Sequence, residues 1–273
     1  SDMVDGIKAG SFEAAMPTAM HTPGKVPLHT VIELPFLGPS TVTQIGAWIW
    51  EVYRHPAIVK EADSWNARML FPIALPQYEL MSIKPVRKVE DLKGLRMKVA
   101  VDMGAPMDKY GIVKFNMSYG EAATALTSGM IDSAAGPWAY VFGSYAMHEK
   151  LKYATINISM GAAGMQVLVN KKAWEALPEE WRKYATTWAE TKSLDLYQKY
   201  NDEADVKWID TYKKAGVEII KFPPEERAKL IEQAEPLWEA WVKRLEGQGQ
   251  PAREVLNFAK TKLAEVVKKY PAK

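Results

Sequence analysis

Short apolar runs and helix-period segments alternate along almost the whole of this 273-residue chain, and that alternation restricts it to the α/β class. Strands are expected at 12–16, 68–73, 78–82, 96–99, 113–116, 130–135, 153–158, 165–170 and 217–221. Between them lie helices, at 41–53, 56–66, 118–129, 137–148, 171–214 (with Pro178 as an early turn or second start), 223–247 and 251–270. Met3, Val4 and Ile7 stand at helical spacing before Gly10 ends the run. Ser118 with Glu121 three residues on is a capping-box pattern, so a helix should start there. Pro223, Pro224 and Pro251 mark two further starts. Residues 17–40 carry five prolines and read as irregular chain. No period of about 20–50 residues signals a repeat architecture.

Charge and composition then exclude several kinds of function. Lys plus Arg number 35 against 33 Asp plus Glu, so the chain has no basic field for nucleic acid. It has no cysteine, which removes disulfides, thiolate catalysis and Cys-type zinc sites. No run of about 18 apolar residues is present to span a membrane. The opening Ser1-Asp2-Met3-Val4-Asp5 is not a signal peptide. His21, His29, His55 and His148 fall in no metal-ligand spacing, so no metal is expected. Phosphate-cradling glycine loops and the Gly-x-Ser-x-Gly elbow are missing too, so no cofactor is expected. Asp132, near a strand end, is the best single acid, but no second carboxylate is set beside it for acid–base work. It reads as a structural acceptor. The 10 tryptophans and 12 tyrosines fit large packed helices, with a few free to line an aromatic pocket.

Four segments in order resemble a known family. They are Leu34-Pro35-Phe36; Val89-Glu90-Asp91-Leu92-Lys93-Gly94-Leu95-Arg96-Met97-Lys98-Val99; the run from Met117 to Asp132, with Glu121, Thr124-Ala125-Leu126, Gly129 and Asp132; and Val169-Asn170-Lys171-Lys172-Ala173-Trp174-Glu175-Ala176-Leu177-Pro178. Each is similar to a stretch of the DctP-type solute-binding proteins of TRAP (tripartite ATP-independent periplasmic) transporters. The resemblance implies a two-lobed periplasmic-binding-protein fold with a hinge and a long helix, 171–214, spanning both lobes. It places the first lobe at 1–97 and the first part of the second at 98–136. Residues 137–273 then hold the remainder, the spanning helix and C-terminal helices returning toward the first lobe. It implies that an N-terminal strand and helix precede residue 1. Location would be periplasmic, the ligand a small organic acid, and the partners the small and large membrane subunits of the permease, with the chain itself not membrane-inserted.

The family's ligand-forking arginine falls at Lys98, with Arg96 two residues earlier on the same face. Lys98 is expected to meet a carboxylate as a point charge; the competing reading pairs it with Asp102. A polar family segment is replaced by Gly136, Pro137 and Trp138, where Trp138 either covers the ligand or merely opens a helix. Ser159-Met160 replaces another polar pair. Such losses suggest an apolar pocket with Met16, Phe71, Met160 and Met165 as walls, suited to an apolar or aromatic monocarboxylate. The alternatives are an enzyme of unknown chemistry on a two-lobed α/β scaffold and a ligand-sensing domain.

Overall fold

The computed structural model describes residues 2–19, 22–138 and 140–271; His21 lies outside them. After α1 (Asp2–Ala9), the strand expected at 12–16 shrinks to β1 (Ala14–Ala15), and a 3-10 turn follows at Leu28–Glu33. Thr41 caps α2 (Val42–Val52) in a reciprocal box with Gln44. Next comes α3 (Pro56–Ser64), whose first N–H groups find the ring of His55, which accepts from Ala57 N–H. Then follow β2 (Ala67–Ile73), β3 (Tyr78–Ser82), β4 (Arg96–Lys98), α4 (Val101–Gly104) and β5 (Val113–Phe115). α5 (Tyr119–Thr127) carries the expected Ser118–Glu121 box. The chain continues through β6 (Ser133–Pro137), α6 (Tyr140–Ser144), β7 (Tyr153–Ile156) and β8 (Met165–Asn170).

The helical run expected over 171–214 is divided at Pro178, the expected second start, into α7 (Lys171–Ala176) and α8 (Glu179–Lys214). Pro178 has no N–H to donate and forces Leu177 into extended backbone, with ψ at 141°. The 36 residues of α8 extend about 54 Å at 1.5 Å per residue. β9 (Glu218–Lys221), α9 (Pro224–Glu246) and α10 (Ala252–Lys269) complete the chain.

Two sheets form. One is antiparallel and three-stranded, β1-β8-β2. The other has six strands in the order β5-β4-β6-β3-β7-β9, with β4 parallel to both β5 and β6. β3 pairs with β6 and β7, so residues 78–82 lie in the same six-stranded sheet as β4. The chain changes sheet between Ile73 and Tyr78, and back between Ile156 and Met165; the lobe limit read from sequence at 97/98 sits inside the second sheet. Backbone bonds stitch the two crossings together: Tyr78 N–H donates to Gly161 O (2.8 Å) and Met160 N–H to Tyr78 O (3.0 Å).

One core cluster joins Leu80, Met97 and Val99 of the second sheet to α2, α9 and α10. Its tryptophans are anchored at their polar edges: Trp48 Nε1 donates to Ala259 O, Trp238 Nε1 to Pro35 O and Trp241 Nε1 to Thr30 Oγ1. The opposite face of the sheet, with Met81, Ala134 and Ala154, packs on α5, α6 and Tyr212 of α8. Thus α8 touches both units, at β2 and α2 and again at α6. No helix among the described residues is long and apolar enough to cross a membrane.

Candidate functional site

Parallel strands leave their carboxyl ends facing one crevice. Lys98 closes β4 at such an end, and it is 8% exposed. Its Nζ lies 3.6 Å from the ring centroid of Tyr119. Among the described residues no carboxylate lies within ion-pair distance of it, so the pairing with Asp102 weighed from sequence does not form. Burial without a counter-charge pushes the ammonium down to about 8.

Tyr119 is held there by two local features. The Ser118 cap starts α5 at this residue. Gly136, opposite, supplies the room, since a Cβ there would lie 2.9 Å from the Tyr119 hydroxyl. That hydroxyl donates to Ala135 O at 3.2 Å. Glycine at 136 therefore leaves space for the aromatic ring beneath Lys98. Pro137 is buried in β6 opposite Tyr78. A cavity of 290 Å³ opens near the same strand ends, lined by Glu33, Leu34 and Pro35 on one side and by Ala100, Asp102 and Asn116 on the other. A larger one, of 460 Å³, lies between α2, α3, β2, α7 and α8 and holds none of the residues expected at the site.

The remaining expected residues scatter. Trp138 is half-buried and packs edge-on against Tyr212 of α8, with ring centroids 5.8 Å apart. Phe71 meets Trp188 of α8 at 5.6 Å, just past the register shift between Met69 and Phe71 in β2. Met160 is fully buried in the main core, where its carbonyl accepts from Phe36 N–H, so it is filler and not lining. Met165 is half-buried in β8 opposite Ile73, and Met16, past β1, is 52% exposed. Arg96 is turned to Asp132 instead. Its Nε and Nη2 donate to Asp132 at 2.8 and 2.5 Å, and this hydrogen-bonded fork holds the Asp132 carboxyl below its ordinary range. Asp132 is therefore the structural acceptor that the sequence suggested.

His148 packs on Tyr212 and Trp208, with centroids 5.5 and 6.3 Å away. Sequence reasoning passed over Tyr119, Glu79 and Arg227. The one available signal was a lone carboxylate inside the apolar run Tyr78-Glu79-Leu80-Met81. No group of acidic or imidazole side chains suited to a metal occurs among the described residues.

Comparison with known proteins adds the lineage. A family model described as DctP, bacterial extracellular solute-binding protein, family 7, matches residues 1–244. The C4-dicarboxylate-binding periplasmic protein DctP of Rhodobacter capsulatus is 29% identical over 172 residues, 62% of this chain. The chain spans only about half of that relative's length, 51%. A TRAP periplasmic solute-binding protein of Desulfovibrio salexigens superposes with a TM-score of 0.87 at 22% identity, covering 100% of this chain and 83% of that one. A TRAP solute-binding protein of Rhodoferax ferrireducens, in complex with copurified benzoate, gives 0.81 at 23%, covering 98% and 84%. The fold shared with these structures is the two-lobed α/β architecture.

Proposed function

Because the chain belongs to the DctP family of bacterial extracellular solute-binding proteins, a family of binders and not of enzymes, we propose that it captures a small organic acid between its lobes and delivers it to the membrane subunits of a TRAP-type transporter. The reading extends to a periplasmic location and to an apolar or aromatic monocarboxylate as ligand. One observation carries it: Lys98 holds a cation at a strand end, over an aromatic ring, with no carboxylate partner among the described residues. Such a group is stabilised by an incoming anion, which supplies the missing counter-charge away from bulk water. The ammonium acts as a point charge, so it fixes one carboxylate without demanding a second. Tyr119 offers a flat apolar face beside it, and the benzoate found in a protein of the same fold supports the aromatic choice.

Thermal shift with a panel of organic acids tests the proposal. Ligand at about 100 times Kd stabilises by about 2.7 kcal/mol. Benzoate or a close analogue should raise Tm, and Lys98→Met should lose at least tenfold in affinity. If no acid moves Tm at millimolar concentration, or if Lys98→Met binds as tightly as the parent, the proposal fails.

A further inference from the structure

The 460 Å³ cavity between α2, α3, β2, α7 and α8 shares no lining residue with the 290 Å³ cavity near the strand ends. Much of its wall is apolar, from Ile58, Val59 and Ala62 of α3 and Met69 and Leu70 of β2. Two polar side chains are fixed in it before anything binds. His29 is 1% exposed, and its Nδ1 lies 2.5 Å from Glu61 Oε2. Glu61 also accepts from Leu28 N–H at 2.9 Å and from His29 N–H at 3.2 Å. A carboxylate so placed keeps the ring proton on Nδ1 and holds the ring still, with Nε2 left outside the pair.

The second is Arg68, on β2, an edge strand bonded to β8 alone. Its guanidinium lies over the indole of Trp174, 4.2 Å from the ring centroid, and Trp174 is itself buried at the α7 end of the cavity. Stacking uses the flat face of a guanidinium and leaves the N–H donors around its edge for an anion. The other cations of the cavity are already answered: Arg54 pairs with Glu190 at 2.8 Å and Lys171 with Asp63 at 2.5 Å. Among the described residues no carboxylate pairs with Arg68, and Glu175, the remaining acid of the lining, is exposed to water. Arg68 also borders a shallower hollow beside Arg182, Lys183 and Glu179, so the local balance of charge around it is positive.

We propose that this cavity is a second ligand site, separate from the cleft at Lys98, for a small carboxylate with an apolar body. The two carboxylate oxygens take the in-plane donors of Arg68 as a fork. The body lies against Ile58, Val59 and Met69, and His29 offers Nε2 to a polar group carried on it. The volume falls within the range of about 300–1,000 Å³ that small-ligand sites occupy. Thr186 and Glu190 of α8 also line the cavity, so an occupant is held between β2 and the long helix. The proposal stands on its own residues and does not rest on the solute-binding reading.

NMR titration of the full chain tests it, with hexanoate as the probe and hexanamide as its uncharged control, read at the indole N–H of Trp174. In Lys98→Met, which removes the cation of the cleft, hexanoate should still shift that signal, and hexanamide should bind about tenfold more weakly. Arg68→Met keeps an apolar stem on Trp174; it should weaken hexanoate about tenfold and leave hexanamide unchanged. Val59→Trp, at a residue 44% exposed, should fill the cavity and block both probes. That variant decides the matter should Arg68→Met fail to fold. No hexanoate-dependent shift at Trp174, equal affinity for the two probes, or unaltered hexanoate binding in Arg68→Met or Val59→Trp overturns the proposal. If Trp174 responds while every acid binds the parent and Lys98→Met equally, this site stands and the solute-binding reading at Lys98 falls. If binding needs Lys98 and Trp174 stays silent, the reverse holds.

Discussion

Lys98, the residue proposed to meet the ligand, works against the stability of its own fold. Its depressed value means that the folded chain holds this proton less well than the unfolded chain does. The fold therefore gains stability as pH rises from about 8 toward the ordinary lysine range, and bears the burial cost of the charge below about 8. Without ligand, Lys98→Met should raise Tm at neutral pH, with roughly 3 kcal/mol as the ceiling set by the shift. The opposite sign applies to binding, because affinity for a monocarboxylate should fall as pH passes above about 8. Calorimetric titration across that range, beside thermal melts of both chains, checks the two together. An unchanged or lowered Tm for Lys98→Met would show that the ammonium is solvated in the unliganded protein. The residue type here was legible by alignment to a motif, and the strand's alternation suggested that Arg96 shares its face. What alternation could not reveal was that Asp132, 36 residues on, would occupy Arg96.

At the scale of elements, most of the strand and helix pattern followed from periodicity and caps, as with Ser118 and Glu121 ahead of α5. Pro178 was readable as a second start within the helical run, and α8 begins just after it. Errors arose where burial has several meanings. Phe71 and Met160 are apolar and inward, but nothing in a linear pattern tells a pocket wall from a surface packed on α8 or on the core. The contact between α5 and β6 is one element pair that can be tested directly. Gly136→Ala places a methyl 2.9 Å from the Tyr119 hydroxyl, inside van der Waals contact. The expected loss is about 1–3 kcal/mol by chemical denaturation, with weakened ligand binding as Tyr119 shifts. Equal stability in Gly136→Ala would mean that the ring moves freely.

For the whole molecule, the C-terminal helices are fastened to the 28–37 segment by indole hydrogen bonds that cross almost the full sequence. Trp238 Nε1 reaches Pro35 O at 2.9 Å across 203 positions. Trp238→Phe keeps most of the apolar area but orphans the Pro35 carbonyl. It should cost about 1–3 kcal/mol in equilibrium unfolding, and a neutral result would mean that water reaches this bond. Distant pairings of this sort, like the placement of β3 in the second sheet, are invisible to local reading because they depend on how the chain returns on itself.

The long helix α8 has a mechanical consequence. Trp188 rests on Phe71 in one unit, and Trp208 fills the space left by Gly143 in the other, where any Cβ would fall 2.2 Å from the indole. Twenty residues of rigid rod separate the two footholds, about 30 Å at 1.5 Å per residue. A strut of fixed length cannot stretch or shorten under load. The halves it braces are thereby denied any sliding along its axis, and the freedom left to them is a swing about it.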